Sequence, residues 1–250
     1  EQIAVRAKSD PDGLAVVVIH VNDSETALTW QMLEGKSNQW ARLLSARGVT
    51  AGSMVALAVP NSPSLVLATI ASWKVGAIPV PMRWDLPDWE RQRLLEVVNP
   101  VLELTVESVE QMTSDAARYS DESVDIVVSP AINGICSSGS TGLPKVILNT
   151  APALWTEDLS VPFIEQWCPV PRPQIILVPA PMYHTNGFVT LNYLLGGDRL
   201  VILEKFTAAT MVGAIERHQV TTFTATPTML SRVADLPEIE KHDLSTIAWI

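Results

Sequence analysis

Short apolar runs of strand length alternate with amphipathic stretches of helical spacing along most of the chain. The runs Met54 to Val59, Ile78 to Val80 and Val101 to Val106 are separated by segments with helix-start signals, such as Ser62-Pro63. Such alternation is typical of α/β folds, because a helix can return the chain to the start of a neighbouring parallel strand. The sequence therefore predicts an α/β fold with mostly parallel sheets flanked by helices.

The rest of the chain continues the same pattern. Further strands are predicted at Ile132 to Cys136, Val146 to Leu148, Ile175 to Val178, Leu200 to Leu203 and Thr221 to Thr224, and further helices at 30–44, 87–98, 186–195 and 207–218. Residues 107–125 are polar and acidic with weak periodicity, which favours a surface linker or loop. We expect a subdomain junction, if there is one, near residues 107–130.

The charge and the apolar runs exclude several classes of protein. With 17 basic and 27 acidic residues the net charge is −10, whereas nucleic-acid binding needs a basic face. The longest apolar region, Met54 to Met82, is interrupted by Lys74 and four prolines and fails as a membrane span. Neither Cys136 nor Cys168 belongs to a Cys-x-x-Cys pair, which favours reduced thiols in a cytoplasmic protein over a disulfide or a metal site.

The two ends of the chain predict a piece of a longer protein. The sequence begins at Glu1 without an initiator Met, and it stops at Ile250 within an apolar run. A terminal apolar strand would leave its edge and side chains exposed. With 47% hydrophobic residues, the chain can still bury a substantial core.

A hydroxyl- and glycine-rich loop carries the most informative chemistry. It reads Ser137-Ser138-Gly139-Ser140-Thr141-Gly142-Leu143-Pro144-Lys145. The spacing is not that of a Walker A loop, because no Gly-Lys-Ser/Thr occurs. Even so, four hydroxyls and two glycines let donors converge on an anion, and Lys145 adds a mobile positive charge. The residues alone leave open a solvated turn with Lys145 as ordinary surface charge.

Two further segments follow predicted strands. The first reads Pro181-Met182-Tyr183-His184-Thr185-Asn186-Gly187-Phe188. A lone His at a strand end, such as His184, is more often structural than catalytic. The second segment, Thr226-Pro227-Thr228, has by itself the composition of a helix start with Pro in the first turn.

These segments together resemble the adenylate-forming superfamily of acyl-CoA synthetases, peptide-synthetase adenylation domains and luciferases. Residues 137–145 are similar to that family's phosphate loop, Thr/Ser-Ser-Gly-Thr/Ser-Thr-Gly-x-Pro-Lys-Gly. The chain departs at Val146, where the family usually has Gly, and Val stiffens the loop exit. The His184 segment resembles the family's Pro-x-Phe/Tyr-His motif, and Thr226-Pro227 resembles a segment on its acyl-binding side. The resemblance covers nearly the whole chain.

The resemblance implies a set of site residues. Those expected to bind ATP are Ser137, Ser138, Gly139, Ser140, Thr141, Gly142 and Lys145, with Thr141 also contacting Mg²⁺. Those expected to hold the substrate are His184, Asn186, Gly187, Phe188, Thr226 and Pro227, with His184 and Lys145 as the catalytic pair. The family's later motifs, Tyr-Gly-x-Thr-Glu, Thr-Gly-Asp and a C-terminal lysine, do not occur. Residues 1–250 are therefore expected to be an incomplete N-terminal adenylation domain.

The activity implied is that of an acid–thiol ligase, which activates a carboxylic acid with MgATP and transfers it to coenzyme A. Residues 82–90 resemble bacterial ligases for fatty, steroid or bile acids. The segment between Tyr183 and Leu195 contains no acidic residue, so it offers no carboxylate to hold the ammonium group of an amino-acid substrate. An adenylation domain that loads a carrier protein, a non-catalytic nucleotide- or acyl-binding module, and a homodimer all stay open.

Overall fold

The structure, a computed structural model, describes residues 1–137, 144–160, 172–237 and 239–250. The chain forms two compact units. The first unit consists of residues 32–154 together with Glu1, and the second consists of residues 2–31 and 155–250. The second unit is thus discontinuous in sequence.

Helices and strands alternate as the sequence predicts. The helices of the described segments are α1 (Gln2–Ser9), α2 (Trp30–Ala46), α3 (Pro63–Lys74), α4 (Asp88–Val98), α5 (Val109–Ala116), α6 (Thr185–Phe188), α7 (Thr190–Gly196), α8 (Ala208–His218) and α9 (Pro227–Ala234), with 3₁₀ turns at Glu157–Ser160 and Ile239–Lys241. The strands are β1 (Leu14–Ile19), β2 (Glu25–Thr29), β3 (Met54–Ala58), β4 (Ile78–Pro81), β5 (Leu102–Thr105), β6 (Asn133–Ser137), β7 (Lys145–Asn149), β8 (Ile175–Val178), β9 (Arg199–Leu203) and β10 (Thr222–Phe223). No described helix is long and apolar enough to cross a membrane.

The first unit contains a three-stranded parallel sheet in the order β4-β3-β5. Helix α3 connects β3 to β4 and begins as the sequence predicts, because the Ser62 hydroxyl accepts the Leu65 N–H at 3.2 Å and Pro63 occupies the first turn. Helix α4 connects β4 to β5, and its Leu94 and Val98 are buried against the sheet residues Ala56 and Val80.

Strands β6 and β7 form an antiparallel hairpin in the same unit. Side chains alternate across a strand, so Cys136 and Val146, which pair in register, lie on the face that packs against the α4–sheet core. Ile147, on the opposite face, is 62% exposed.

The second unit contains a five-stranded sheet in the order β10-β8-β9-β1-β2. Strands β10, β8, β9 and β1 are parallel, and β2 is antiparallel to β1. Helix α8 is capped by Thr207, whose hydroxyl accepts the Thr210 N–H at 3.0 Å, and it packs Met211 and Ile215 against this sheet.

The predicted α/β fold with mostly parallel sheets is confirmed. Two local expectations were wrong. The stretch 107–125 contains α5 and not only loop, and the single helix predicted over 186–195 is divided at Val189 into α6 and α7. The segment 107–130 lies within the first unit, since the boundaries between the two units fall at residues 31/32 and 154/155.

Candidate active site

In the first unit, the β6–β7 hairpin holds the two ends of the predicted phosphate loop. Ser137 is the last residue of β6, Lys145 is the first of β7, and the two pair across the hairpin. Ser137 is half-buried and the Lys145 side chain is exposed. Ser138, Gly139, Ser140, Thr141 and Gly142 lie outside the described residues, so their contacts with phosphate and Mg²⁺ stay predictions.

The inner face of the hairpin is closely packed. Burial raises the pKa of the Cys136 thiol to about 11, because the thiolate would lose its hydration there. Gly134 pairs with Leu148 across the hairpin, and a Cβ added there would lie only 2.9 Å from Val146 Cγ1 and 3.1 Å from both Leu148 Cδ2 and Val80 Cγ2. The valine that stands in place of the family's usual glycine therefore fills space that Gly134 leaves free.

In the second unit, the strand order reverses between the neighbouring strands β8 and β10, because the chain continues to opposite sides after each of them. Thr222 of β10 pairs with Ile176 of β8 on one side and with Trp249 on the other. The chain leaves β8 toward β9, and it leaves β10 toward Trp249, in the opposite direction. In open parallel sheets, ligands bind outside the carboxyl ends of the strands at such a reversal point. The carboxyl edge of the sheet beyond Val178 and Phe223 is therefore the candidate substrate site.

The His184 segment follows the carboxyl end of β8, and a short turn connects it to α6. The His184 N–H donates to the Pro181 carbonyl at 3.1 Å, and the His184 carbonyl accepts the N–H groups of Gly187 at 3.1 Å and Phe188 at 3.0 Å. The His184 side chain is exposed, and its ring centroid lies 4.5 Å from that of Tyr183 at an angle of 57°. The backbone of this turn thus fixes where the imidazole leaves the chain.

The other predicted residues of this segment divide by exposure. Asn186 is exposed, whereas Gly187 and Phe188 are buried, with Phe188 only 4% exposed. The buried Thr190 hydroxyl donates to the Gly187 carbonyl at 2.6 Å and ties the end of α6 to the start of α7. Sequence reasoning missed Thr190, although a hydroxyl residue three positions after the motif glycine was a usable signal.

The Thr226 segment leaves the carboxyl end of the neighbouring strand β10. Thr226 caps α9, because its hydroxyl accepts the Met229 N–H at 3.3 Å, and Pro227 is the first residue of that helix. Both residues are exposed. Because β8 and β10 are adjacent and parallel, the His184 and Thr226 segments start at the same edge of the sheet.

A comparison with models of protein families shows which family the chain belongs to. The sequence profile described as "AMP-binding enzyme" matches residues 3–134 and 130–250, which together span nearly the whole chain. The chain belongs to the AMP-binding enzyme family. The resemblance to the adenylate-forming superfamily is thereby confirmed.

Curated relatives of this AMP-binding protein include ligases and peptide synthases. The indoleacetate–CoA ligase of Aromatoleum aromaticum is 28% identical over 90% of this chain and 50% of its own length. For the 4-coumarate–CoA ligase 5 of Oryza sativa the identity is 24%, over 89% of this chain and 47% of the ligase. A dimodular nonribosomal peptide synthase of Bacillus subtilis is 28% identical over 81% of this chain but only 9% of its own length. The chain therefore spans about half the length of the CoA ligases it matches.

Solved structures share the fold. The o-succinylbenzoate–CoA synthetase of Bacillus subtilis superimposes with a TM-score of 0.78 at 21% identity, over 99% of this chain and 66% of that one. A fatty acyl-CoA synthetase of Mycobacterium tuberculosis gives a TM-score of 0.79 at 19% identity, over 98% and 52%. At these identities the likeness concerns the fold.

At the opposite, amino-terminal edge of the same sheet, the AMP-binding chain buries Asp198. Its carboxylate accepts the Arg172 guanidinium at 2.6 Å and the Gln174 N–H at 2.7 Å, and it is 1% exposed. Burial raises the pKa of this carboxyl, against the lowering influence of the Gln174 N–H and of Arg172. Asp198 precedes β9 and so lies at the edge opposite the candidate substrate site. There it links the residues that precede β8 and β9.

A further polar pair lies at the carboxyl edge, beyond β1 and β9. His20 Nδ1 lies 2.8 Å from the Glu204 carboxylate, and His20 Nε2 lies 2.8 Å from the Thr26 hydroxyl. Local sequence patterns do not pair His20 with Glu204, because their proximity follows only from the β1–β9 pairing. Within the described ranges, no cluster of three His, Cys, Asp or Glu side chains could hold a metal ion.

Proposed function

We propose that the protein is an AMP-forming acid–thiol ligase, which activates a carboxylic acid with MgATP and passes the acyl group to coenzyme A. The observation that carries the proposal is the placement of the His184 and Thr226 segments at one sheet edge, where the strand order reverses between β8 and β10, in a member of the AMP-binding enzyme family. Since the chain spans about half of the matching CoA ligases, the activity is proposed for the whole protein.

The reaction would proceed in two steps. A carboxylate oxygen of the acid attacks the α-phosphorus of ATP, the bond to the β-phosphate oxygen breaks, and acyl-AMP and pyrophosphate form. The thiol sulfur of coenzyme A then attacks the acyl carbon, AMP leaves with the electron pair of the acyl–oxygen bond, and the thiol proton passes to solvent. The first step makes the second feasible, because AMP is a far better leaving group than oxide.

The residues present fit this chemistry. Lys145 is an exposed residue at the loop end of the hairpin, where its ammonium would stabilise phosphate charge together with residues 137–142. In this proposal, Thr141 contributes a hydroxyl to Mg²⁺. His184 would face the acyl phosphate or the carboxylate, since its exposed ring lies at the carboxyl edge. Asn186, Thr226 and Pro227 would line the acyl side.

An uncharged, largely apolar acid is the substrate class we propose. An ammonium group needs an acidic partner in an apolar pocket, and Asp198 is engaged by Arg172 at the other edge of the sheet. Residues 82–90 favour fatty, steroid or bile acids. The relatives named for 4-coumarate and indoleacetate add aryl acids to the candidates.

Loading of a carrier protein is the second candidate, favoured by the match to the dimodular peptide synthase over 81% of the chain. The two candidates share the first step and differ in the acceptor. Coenzyme A and a phosphopantetheinylated carrier protein, each offered to the full-length protein with a radiolabelled acid, would distinguish them.

Acid-dependent ATP–pyrophosphate exchange tests the first step. In the full-length protein, Lys145→Ala and Thr141→Ala should each slow exchange by at least about tenfold, because donors that stabilise phosphate charge are lost. Lys36→Ala, which removes an exposed lysine from α2, is the matched control and should leave exchange unchanged. The acids offered should include fatty acids, a bile acid, a steroid side-chain acid, an aryl acid and the twenty amino acids. An amino acid preferred over every apolar acid would overturn the substrate proposal, and unchanged exchange in Lys145→Ala would overturn the phosphate role.

A further inference from the structure

We propose that Gly187 is a positioning residue for His184 and does not itself line the acyl pocket. The absence of a side chain at Gly187 allows α6 to close against the Pro181 carbonyl, and that closure sets the direction in which the imidazole projects. The inference rests on the proposed function, because it assigns His184 to the acyl or adenylate side.

The space around Gly187 is occupied by backbone. An added Cβ would lie 2.5 Å from the Pro181 oxygen, 2.8 Å from the Pro181 carbonyl carbon and 2.9 Å from Met182 Cα. All three distances are shorter than real Cβ contacts, and none of the three atoms belongs to a flexible side chain. Gly187 does not have the positive φ that usually requires glycine, so space alone demands it.

The surrounding backbone has little freedom to retreat. Met182 is 0% exposed, and the Pro181 oxygen already accepts the His184 N–H. On the other side, Phe188 is buried and the Thr190 hydroxyl holds the Gly187 carbonyl at 2.6 Å. A Cβ at position 187 must therefore open the turn between Pro181 and Gly187.

Opening that turn moves His184. The backbone of His184 is hydrogen-bonded on both sides: its N–H donates to the Pro181 carbonyl, and its carbonyl accepts the N–H groups of Gly187 and Phe188. A displacement of about 1 Å of a positioned group can lower a rate by roughly a hundredfold. The damage should therefore appear in turnover, while the ATP contacts proposed for residues 137–145 keep their own local structure.

Gly213 offers a matched control. It also lies within a helix, α8, but no heavy atom lies within 4 Å of a Cβ built there. Gly213→Ala thus makes the same chemical change without the backbone conflict, and alanine is the better helix former.

The experiment measures acid-dependent ATP–pyrophosphate exchange and urea unfolding in the full-length protein, for Gly187→Ala, Gly213→Ala, His184→Ala and the double variant Gly187→Ala/His184→Ala. Gly187→Ala should lower kcat at least about tenfold with the KM for ATP nearly unchanged. Gly213→Ala should match the unaltered protein. In the His184→Ala background, Gly187→Ala should cause no further loss, because the group it positions is gone.

Thr190→Val keeps the test valid if Gly187→Ala does not fold. It removes only the hydrogen bond to the Gly187 carbonyl, and should give a smaller loss of kcat that also vanishes in the His184→Ala background. Losses that multiply in the double variants would overturn the positioning role while leaving the proposed function intact. An unaltered protein without exchange for any acid would overturn the proposed function, and this role with it.

Discussion

Cys136 lies immediately before Ser137, at the start of the predicted phosphate loop, yet its environment suppresses the chemistry of a thiol. It packs against the buried core around Ala56, Val80 and Leu94, and forms no disulfide with any described residue. A thiol is a nucleophile only as thiolate, and burial disfavours the charged form. Cys136 is therefore a packing residue in spite of its position.

Slow alkylation of Cys136 is the expected consequence. With a pKa of about 11, only about 0.1% of the thiol is ionised at pH 8, against about a tenth for a cysteine at the ordinary value of 9.0. Iodoacetamide should therefore modify Cys136 at least about a hundredfold more slowly in the native protein than in urea, as followed by peptide mass mapping that separates it from Cys168. Equal rates in the two states would contradict the burial.

The raised pKa of Cys136 also makes the stability of the protein depend on pH. The folded-state pKa is raised above the ordinary value of 9.0, so the unfolded chain loses this proton first as the pH rises. The contribution of Cys136 to stability is fully present below about pH 9 and is lost as the pH rises toward 11. Cys136→Ala should flatten this part of the profile of unfolding free energy against pH.

At the scale of elements, the β6–β7 hairpin depends on a matched pair of side chains. Gly134→Ala should destabilise the protein by about 1–3 kcal/mol, because the new methyl overlaps Val146, Leu148 and Val80. Val146→Ala removes the closest of these contacts. The double variant Gly134→Ala/Val146→Ala should therefore lose less unfolding free energy than the sum of the two single-variant losses, by at least about 0.5 kcal/mol.

Ile147→Ala is the control for this pair. Ile147 lies on the same strand but on the exposed face, so its loss should add to that of Gly134→Ala without coupling. Free energies of unfolding from urea titrations provide the measurement. Coupling to Ile147 as large as that to Val146 would contradict the packing described.

Much of the element order could be predicted from sequence, because apolar runs and caps such as Ser62 and Thr207 are local signals. Helix α5 was missed because its two buried residues, Met112 and Ala116, are too few to give a periodic pattern. The division at Val189 has no signal in composition. Helix α1 and strands β1 and β2 were also not predicted.

The candidate site could be predicted only in its local parts. The His184 and Thr226 segments were identified by motif, but their common position follows from the β8–β10 pairing, which no local pattern encodes. The same holds for His20 and Glu204, which the β1–β9 pairing brings together.

At the scale of the whole molecule, the second unit is built from two distant stretches of chain. Ile19 of β1 is 1% exposed and packs in one core with Leu177, Val201 and Phe223. Ile19→Ala should cost about 2–5 kcal/mol and weaken a sheet whose other strands come much later in the sequence.

Hydrogen exchange measures how far that damage spreads. Amide protection should fall in β8 and β9 as well as in β1, whereas Leu57→Ala, the equivalent change in β3, should lower protection in β4 and β5. Loss confined to the β1–β2 hairpin in Ile19→Ala would show that this sheet does not behave as one cooperative unit.

The pairing of β1 with β9 has a consequence for synthesis on the ribosome. At about 5–20 residues per second, the nascent chain carries β1 for roughly 10–40 s before β9 is made. Five of the six β1 residues are buried in the finished sheet, and a lone two-stranded hairpin is marginally stable in water. Throughout that interval the apolar β1–β2 hairpin is available to chaperones and to neighbouring nascent chains. Slower translation of residues 32–198 should therefore lengthen the period in which this protein aggregates.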